Sequence, residues 1–583
     1  MKKFLLSIVL FFVCFYCIAQ CPSGNISLTS QSDIDNFKTA YPNCTEIGRD
    51  LIIQGSSINN LNGLDEIIKI TRHLNILDTS LYDFSGLDAL TTVSGGITIW
   101  RNYSLTTFYG LGQLSFIGEQ IRVSRNPLLS SLQGIDNISS IGSLSLNHNL
   151  YSGLSLDGTQ ITSLQALSSL TYLSGLHLAD NNVDSLVGLE NIVSIDGGIS
   201  IGGESITDFS GLDNLRTIGD GLNITGNDNL TSFQGLENLI RIGGNVGIYG
   251  NALLSNFNGL EALTEIVTSP GGFKSKFTIE GTQLNSLNGL TNLNTVEDLE
   301  IAHNPNLSNL QGLTSLRLVS SDLKVRNNEN LENLQGLENL ETIDGRLYLS
   351  SNFKMTSLIG LSGLLIIGKD LTLNQNSLLP NLNGISKIQS IGSLTLDYNN
   401  QLTSLQGIES LQTLSEGSIA FFNNDKLSDL TALSNASTGG QTVNGWFDGL
   451  RISYCPVLSS LNGLENLDFN DSNYAVFINN NPLLNDISAM TNWNAEGLNN
   501  ITLVNNATLA NCQVTPICTF MTTKNLTYAN ISGNSGNCAN EQDLTIVCSP
   551  DPNALVQISL YLHKKKLITL HQIMHTVLNL KSQ

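Results

Sequence analysis

The 583-residue chain has little of what enzymes and nucleic-acid-binding surfaces are built from. Only 13% of its residues are charged and 6% aromatic, with 3 Trp and 7 His. The net charge of -22 is spread along the chain, so nucleic acid and anionic membranes would be repelled by a diffuse acidic surface. Hydrolytic or metal chemistry usually needs a His beside a nucleophile or a carboxylate pair. Here His73, His148, His177 and His303 are widely separated, so no cofactor, metal or catalytic residue is expected. Beyond the first residues there is no apolar run of the roughly eighteen needed to cross a bilayer.

That first stretch, MKKFLLSIVLFFVCFYCIAQ, places Lys2 and Lys3 before an apolar run ending in small or polar residues. It reads as a secretory signal over residues 1–20 with cleavage near Ala19 or Gln20. Acylation of Cys21 is the weaker alternative, because Gln20 is a poor residue before a lipidated cysteine. Two of the 9 cysteines, Cys14 and Cys17, leave with the signal. Cys21, Cys44, Cys512, Cys518, Cys538 and Cys548 sit near the ends and, in an exported chain, are read as disulfides. Cys21 is expected to pair with Cys44, while the last four allow three pairings that sequence does not separate.

Short motifs that look chemical do not hold up. GLLIIGKD, Gly363 to Asp370, has the glycines and lysine of a phosphate-binding loop, but Asp370 replaces the Ser or Thr that would reach Mg²⁺, and four apolar residues fill the loop. HQIMH, His571 to His575, lacks the general-base Glu of a zinc motif. GNSG, Gly533 to Gly536, has no triad partners, and DFNDSN, Asp468 to Asn473, lacks the glycine and distal Glu of an EF-hand, so it reads as an Asx-rich turn.

What is abundant is Leu, Asn, Ser and Gly, arranged in one repeated frame. GLLIIGKDLTLNQNSLLPNLNGI, GLENLETIDGRLYLSSNFKMTSLIGL and GLTSLRLVSSDLKVRNNENLENLQGL share G-L-x-x-L-x-x-I followed by L-x-I-x-x-N-x-x-L-x-x-L. A small residue opens the frame from Gly63 and Gly86 through Ala166 and Ala432 to Ala489, with most steps 23 or 24 residues. The phosphate-loop lookalike is one turn of it. L-x-I alternates as a short strand does, with Leu and Ile inward. Asn follows three residues later at 102, 126, 149, 181, 227, 251, 304, 328, 352, 376, 399, 424, 481 and 506, with Cys455 in the same slot. Its amide can satisfy backbone groups that a tight inward turn leaves unpaired, so stacked turns predict an asparagine ladder. One turn cannot bury its own apolar stripe, whereas a stack can.

The frame G-x-L-x-I-x-x-N-x-x-L-x-x-L-x-G-L-x-x-L-x-x-I resembles that of receptor L domains, the leucine-rich-repeat-like solenoids of growth-factor receptors, and that of bacterial surface proteins built from the same unit. The resemblance covers about residues 45 to 510. It implies a mainly β fold, a right-handed single-stranded β-solenoid of about 18 turns, capped by disulfides at both ends, which binds proteins or glycans at a surface. The chain lacks the receptors' transmembrane helix and kinase.

The expected layout is a signal at 1–20, an N-terminal disulfide cap at 21–50, the solenoid at 51–509, a Cys-rich C-terminal cap at 510–549 and an irregular basic tail at 550–583. Bacterial relatives often end in a β-rich sorting domain recognised by type IX secretion. The tail here does not resemble one and reads as a truncated or frame-shifted end, with a short amphipathic tail as the alternative. Two turns are lengthened at one point of the frame, VTSPGGFKSK before Phe277 and NASTGGQTVNGWFDG before Leu450. Such insertions commonly build a binding face. They carry Lys274 and Lys276, rare cations on an acidic chain, and the aromatics Trp446 and Phe447. Outward strand positions include Thr98, Arg122, Ser145, His177, Lys324, Tyr348, Thr372, Thr395 and Arg451, with Trp100 and Tyr249 one alternation on. The functional expectation is a secreted or cell-surface recognition protein that binds an extracellular protein or glycan through Lys274, Lys276, Trp446, Phe447, Trp100, Tyr249 and Tyr348. The alternative is a passive spacer of the envelope or matrix.

Overall fold

The structure is a computed structural model that describes residues 21–142, 153–438, 449–467, 469, 474–524 and 526–549. The chain divides into two compact units, Met1–Ser321 and Asp322–Gln583. Each is a stack of the repeated turn, and the fold is a parallel β-solenoid of about 20 turns. In the first unit, strands Leu74–Leu77, Ile97–Trp100 and Gln120–Ser124 pair in parallel with Leu74, Ile97 and Ile121 in register. In the second, Leu323–Arg326, Leu347–Ser350 and Asp370–Asn374 do the same through Leu323, Leu347 and Leu371. A second parallel sheet of two-residue strands, such as Thr92–Val93 with Phe116–Ile117, carries the frame's isoleucine-type slot.

Burial follows the alternation. Leu347, Leu349, Leu371 and Leu373 are fully buried, while Tyr348 and Thr372 between them are half-exposed. Where the leucine slot holds Phe, rings of successive turns meet: Phe209 stacks on Phe233 and Phe233 on Phe257, each at 5.3 Å between centroids, and Phe84 meets Phe108 tilted by 54°. In Gly363–Asp370, Leu364 and Ile367 are fully buried, and a Cβ on Gly368 would lie 2.2 Å from the Asp344 carbonyl oxygen. That stretch is a packed turn whose glycine admits the neighbouring backbone, not an anion cradle.

The ladder forms as its chemistry demands. Asn126 Oδ1 accepts the Asn102 backbone N–H at 2.9 Å, and Asn126 Nδ2 donates to the Ile99 carbonyl at 3.1 Å. Asn102, Asn126, Asn227, Asn251 and Asn376 are all fully buried. The residue before the slot is left-handed turn after turn, for example Arg101, Arg125, Asn327 and Gln375 at φ between 55° and 57°. Residues other than Asn also fill the slot: Thr79, Thr159 and Thr282 donate their hydroxyls to the next rung at 2.6 Å, and Glu204 accepts in place of an amide.

One turn departs from the sequence reading. Ser145 and Asn149 lie outside the described residues. The strand in register with Gln120–Ser124 on one side and Leu176–Ala179 on the other is Gly153–Asp157, so Ser155 is the outward residue and Thr159 the rung. Both SLSLN and GLSLD fit the frame, and the second has the correct spacing to the next turn.

The frame's opening glycine explains itself at Gly110. Its φ is 100°, and a Cβ would lie 2.2 Å from the Phe84 carbonyl carbon. Where Ala stands instead, at 166, 432 and 489, the backbone becomes a short 3₁₀ helix: Gln165–Leu167, Thr431–Leu433 and Ser488–Asn492. An L-residue is strained at positive φ, and the 3₁₀ turn removes the need for it.

The disulfide-bearing segments take part in the stack, which raises the count above the expected 18 or so turns. Ile26–Leu28 pairs with Leu51–Gln54, and Ala529–Ser532 pairs with Leu498–Val504. Cys21 bonds Cys44, as expected, and the open C-terminal choice resolves to Cys512 with Cys538 and Cys518 with Cys548.

Candidate ligand-binding site

The lengthened turn before Phe277 makes a wall. After the short strand Glu265–Val267 the chain leaves the frame and returns at Lys276–Glu280. The loop folds on itself: the Gly272 N–H donates to the Ser269 carbonyl at 2.9 Å, and the Ser269 N–H to the Phe273 carbonyl at 3.3 Å. Glu297, on the following turn, pins it by accepting from the Thr268 hydroxyl and the Ser275 N–H. Burial pushes the Glu297 carboxyl up, but these hydrogen bonds and the charge of Lys274 outweigh it and hold the group below its ordinary value. Asn245 Oδ1 accepts the Lys276 N–H at 2.9 Å and ties the loop's end to the preceding turn.

Under this wall lies a hollow of about 440 Å³. Its floor is a row of outward strand positions in register, Ser200, Asn223, Gly247 and Thr278, one from each of four successive turns. Gly247 is the decisive member. A Cβ there would lie 2.3 Å from Cε2 of Tyr249, so the tyrosine ring folds back over the glycine into the space a side chain would fill. Phe273 and Lys274 line the hollow from the loop, Asp220 and Asn245 from the turns before it. Phe273 is 78% exposed, the most exposed large apolar side chain among the described residues.

Of the sequence-proposed binding residues, Lys274, Lys276 and Tyr249 share this hollow. Lys276 is half-exposed and its Nζ lies 2.5 Å from the buried Glu300 carboxylate, which neutralises it. Trp100 stands apart with the Arg101 guanidinium 4.8 Å above its ring. Tyr348 belongs to the second unit, paired beside Lys324 and Thr372. Trp446 and Phe447 lie outside the described residues, as do HQIMH and the tail. A smaller hollow of about 210 Å³ in the second unit is lined by Thr395, Ala420, Phe422, Arg451 and Phe477. There the Arg451 guanidinium sits 4.9 Å from the Phe477 ring, and burial pushes its pKa down.

Sequence reasoning missed Phe273, Asn223, Asn245 and Gly247. The signal for Gly247 was present, since V-G-I-Y puts a glycine where neighbouring turns put Ser200, Asn223 and Thr278.

Among the described residues no group of three or more His, Cys, Asp or Glu could hold a metal ion, and no helix is long and apolar enough to cross a membrane. Cys455 is fully buried in its rung, where its N–H donates to Asn481 Oδ1 at 2.9 Å, and burial pushes its thiol up to about 11.

No family profile and no curated protein matches the chain. Solved structures that match include an internalin from Listeria monocytogenes, 18% identical over 56% of this chain and 87% of that one with a TM-score of 0.27. The functional domain of InlJ from Listeria monocytogenes, described as including a cysteine ladder, is 13% identical over 69% and 74% with a TM-score of 0.24. The TLR13–ssRNA13 complex matches at 15% identity over 82% and 88% with a TM-score of 0.20.

Proposed function

We propose that the chain is an exported, non-catalytic recognition protein that binds an extracellular protein or glycan on its outward strand face. The observation that carries this reading is the hollow beside residues 268–276, where a loop with defined hydrogen bonds places Phe273 and Lys274 beside Tyr249 around a polar floor. Two aromatic rings, Phe273 and the half-exposed Tyr249, meet polar side chains at one loop-bordered hollow, and loops on a rigid scaffold are where binding residues concentrate. Export is supported by the signal-like first residues and by three disulfides, which persist in oxidising compartments.

The test is a screen of the purified chain on a glycan array and an extracellular-protein array, beside a Tyr249→Ala, Lys274→Ala double variant. Binding lost in the variant supports recognition at this face. Binding equal in both would move the site elsewhere on the chain, and no binding on either array would favour the passive spacer.

A further inference from the structure

The composition of the hollow is specific enough to name a ligand class. Its charge is close to balanced: Lys276 is paired with Glu300 at 2.5 Å, and the lining holds one further cation, Lys274, and one carboxylate, Asp220. An anionic ligand would gain little there, and a wholly apolar one would strip water from Ser200, Asn223 and Asn245 without replacing their hydrogen bonds. What matches is a molecule with several hydroxyls and one apolar face. The hydroxyls meet amides, hydroxyls and a carboxylate, and the C–H face meets an aromatic ring.

A pyranose ring is such a molecule. The hollow's volume of about 440 Å³ falls in the range of about 300–1,000 Å³ common for small-ligand sites. The Tyr249 ring is placed by an absent side chain at Gly247, so it is laid down before any ligand arrives. Such preorganisation lowers the ordering cost of binding. Resting on the recognition reading above, we infer that this hollow is a subsite for one neutral pyranose residue of a larger glycan, with Tyr249 and Phe273 as the aromatic contacts and Asn223, Asn245 and Asp220 as the hydroxyl partners.

Saturation-transfer difference NMR of the purified chain with neutral oligosaccharides of glucose, galactose, mannose and N-acetylglucosamine tests this, with glucuronate-containing and sulfated oligosaccharides alongside. Two variants attack the ring from different sides: Tyr249→Ala removes it, and Gly247→Ala displaces it by contact with a movable side chain, so the fold should persist. Thermal unfolding of each checks that it does. At least one neutral oligosaccharide should bind, at least about tenfold more weakly to either variant, and with affinity flat from roughly 0.05 to 0.5 M salt, since no ion pair contributes. Preference for the acidic oligosaccharides with loss of binding at high salt would overturn the neutral-sugar assignment. Protein-array binding lost in the same variants, with no oligosaccharide bound, would overturn the sugar inference while leaving recognition intact. Silence on every array and titration would overturn both.

Discussion

Glu204 Oε1 accepts both the backbone N–H and the side-chain amide of Asn181, each at 2.9 Å, while its Oε2 accepts the Val183 N–H at 2.9 Å. A buried carboxylate thus does the work of a ladder amide. Burial pushes its pKa above the ordinary 4.5 despite those hydrogen bonds, with Asp180 adding to the rise. A carboxyl with a raised folded value keeps its proton longer in the folded than in the unfolded chain. Stability therefore falls as pH rises from the ordinary value through the folded one. Glu204→Gln removes the charge but leaves one N–H facing a donor, costing about 1–3 kcal/mol independently of pH. The midpoint advantage of wild type over Glu204→Gln should accordingly shrink over the pH range above the ordinary carboxyl value of 4.5. A gap that stays constant across that range would show that the carboxyl titrates normally.

The amide rungs should be costlier to lose. Asn126→Ala strands the Asn102 N–H and the Ile99 carbonyl in a buried position, and each unpaired group costs about 1–3 kcal/mol. Hydrogen exchange by NMR or mass spectrometry should show protection lost at Asn102 and its neighbours. Unchanged protection there would mean that water or a shifted side chain replaces the rung.

Gly110→Ala and Ala166→Gly form an asymmetric pair. The first forces a side chain into φ 100° and against the Phe84 carbonyl, strain of the order of 1–3 kcal/mol. The second loosens a 3₁₀ turn that has no steric need for a methyl group, costing about 0.5–1 kcal/mol. Chemical denaturation of both variants checks the order, and equal losses would refute the account of why Ala marks the 3₁₀ turns.

The architecture was legible in the sequence because the core is one-dimensional. Each turn meets chiefly the next, so Leu and Ile recur at fixed steps and the inward set, such as Leu371 and Leu373, could be read without knowing any long-range contact. Roles shared by different chemistries were not legible. Thr79 and Glu204 complete the ladder with a hydroxyl and a carboxylate, and a search for Asn passes over both. The region before Thr159 offered two equivalent L-x-L stretches, which only sheet register separates. The site was half visible. Lysines stood out against an acidic background, but the outward positions carry no packing constraint, so Asn223 and Gly247 acquire meaning only when their turns are stacked.

Cys455 should behave as a hydrophobic rung rather than a reactive thiol. It is fully buried, its Sγ lies 3.8 Å from the Ser453 carbonyl, and its pKa is pushed up to about 11. The thiolate is the nucleophile, so both access and ionisation are suppressed. Iodoacetamide at mildly alkaline pH should leave Cys455 unmodified in the native chain and label it in denaturant, read by peptide mass spectrometry. Rapid native labelling would show that this turn opens.

Leu373→Ala tests whether the stack is energetically modular. Leu373 is fully buried in the strand Asp370–Asn374, in register with Leu349 on one side and Leu396 on the other. Truncating such a side chain costs about 2–5 kcal/mol, the spread reflecting how far neighbours collapse into the cavity. In a structure whose units contact mainly their neighbours, that loss should stay near the site. Hydrogen exchange should therefore rise in Leu347–Ser350, Asp370–Asn374 and Ser393–Asp397, while Leu74–Leu77 and Ile97–Trp100, in the other unit, keep native protection. A uniform rise over both units would show that the chain unfolds as one cooperative body. An unchanged pattern at all five strands would mean that the Leu373 side chain is not part of the core.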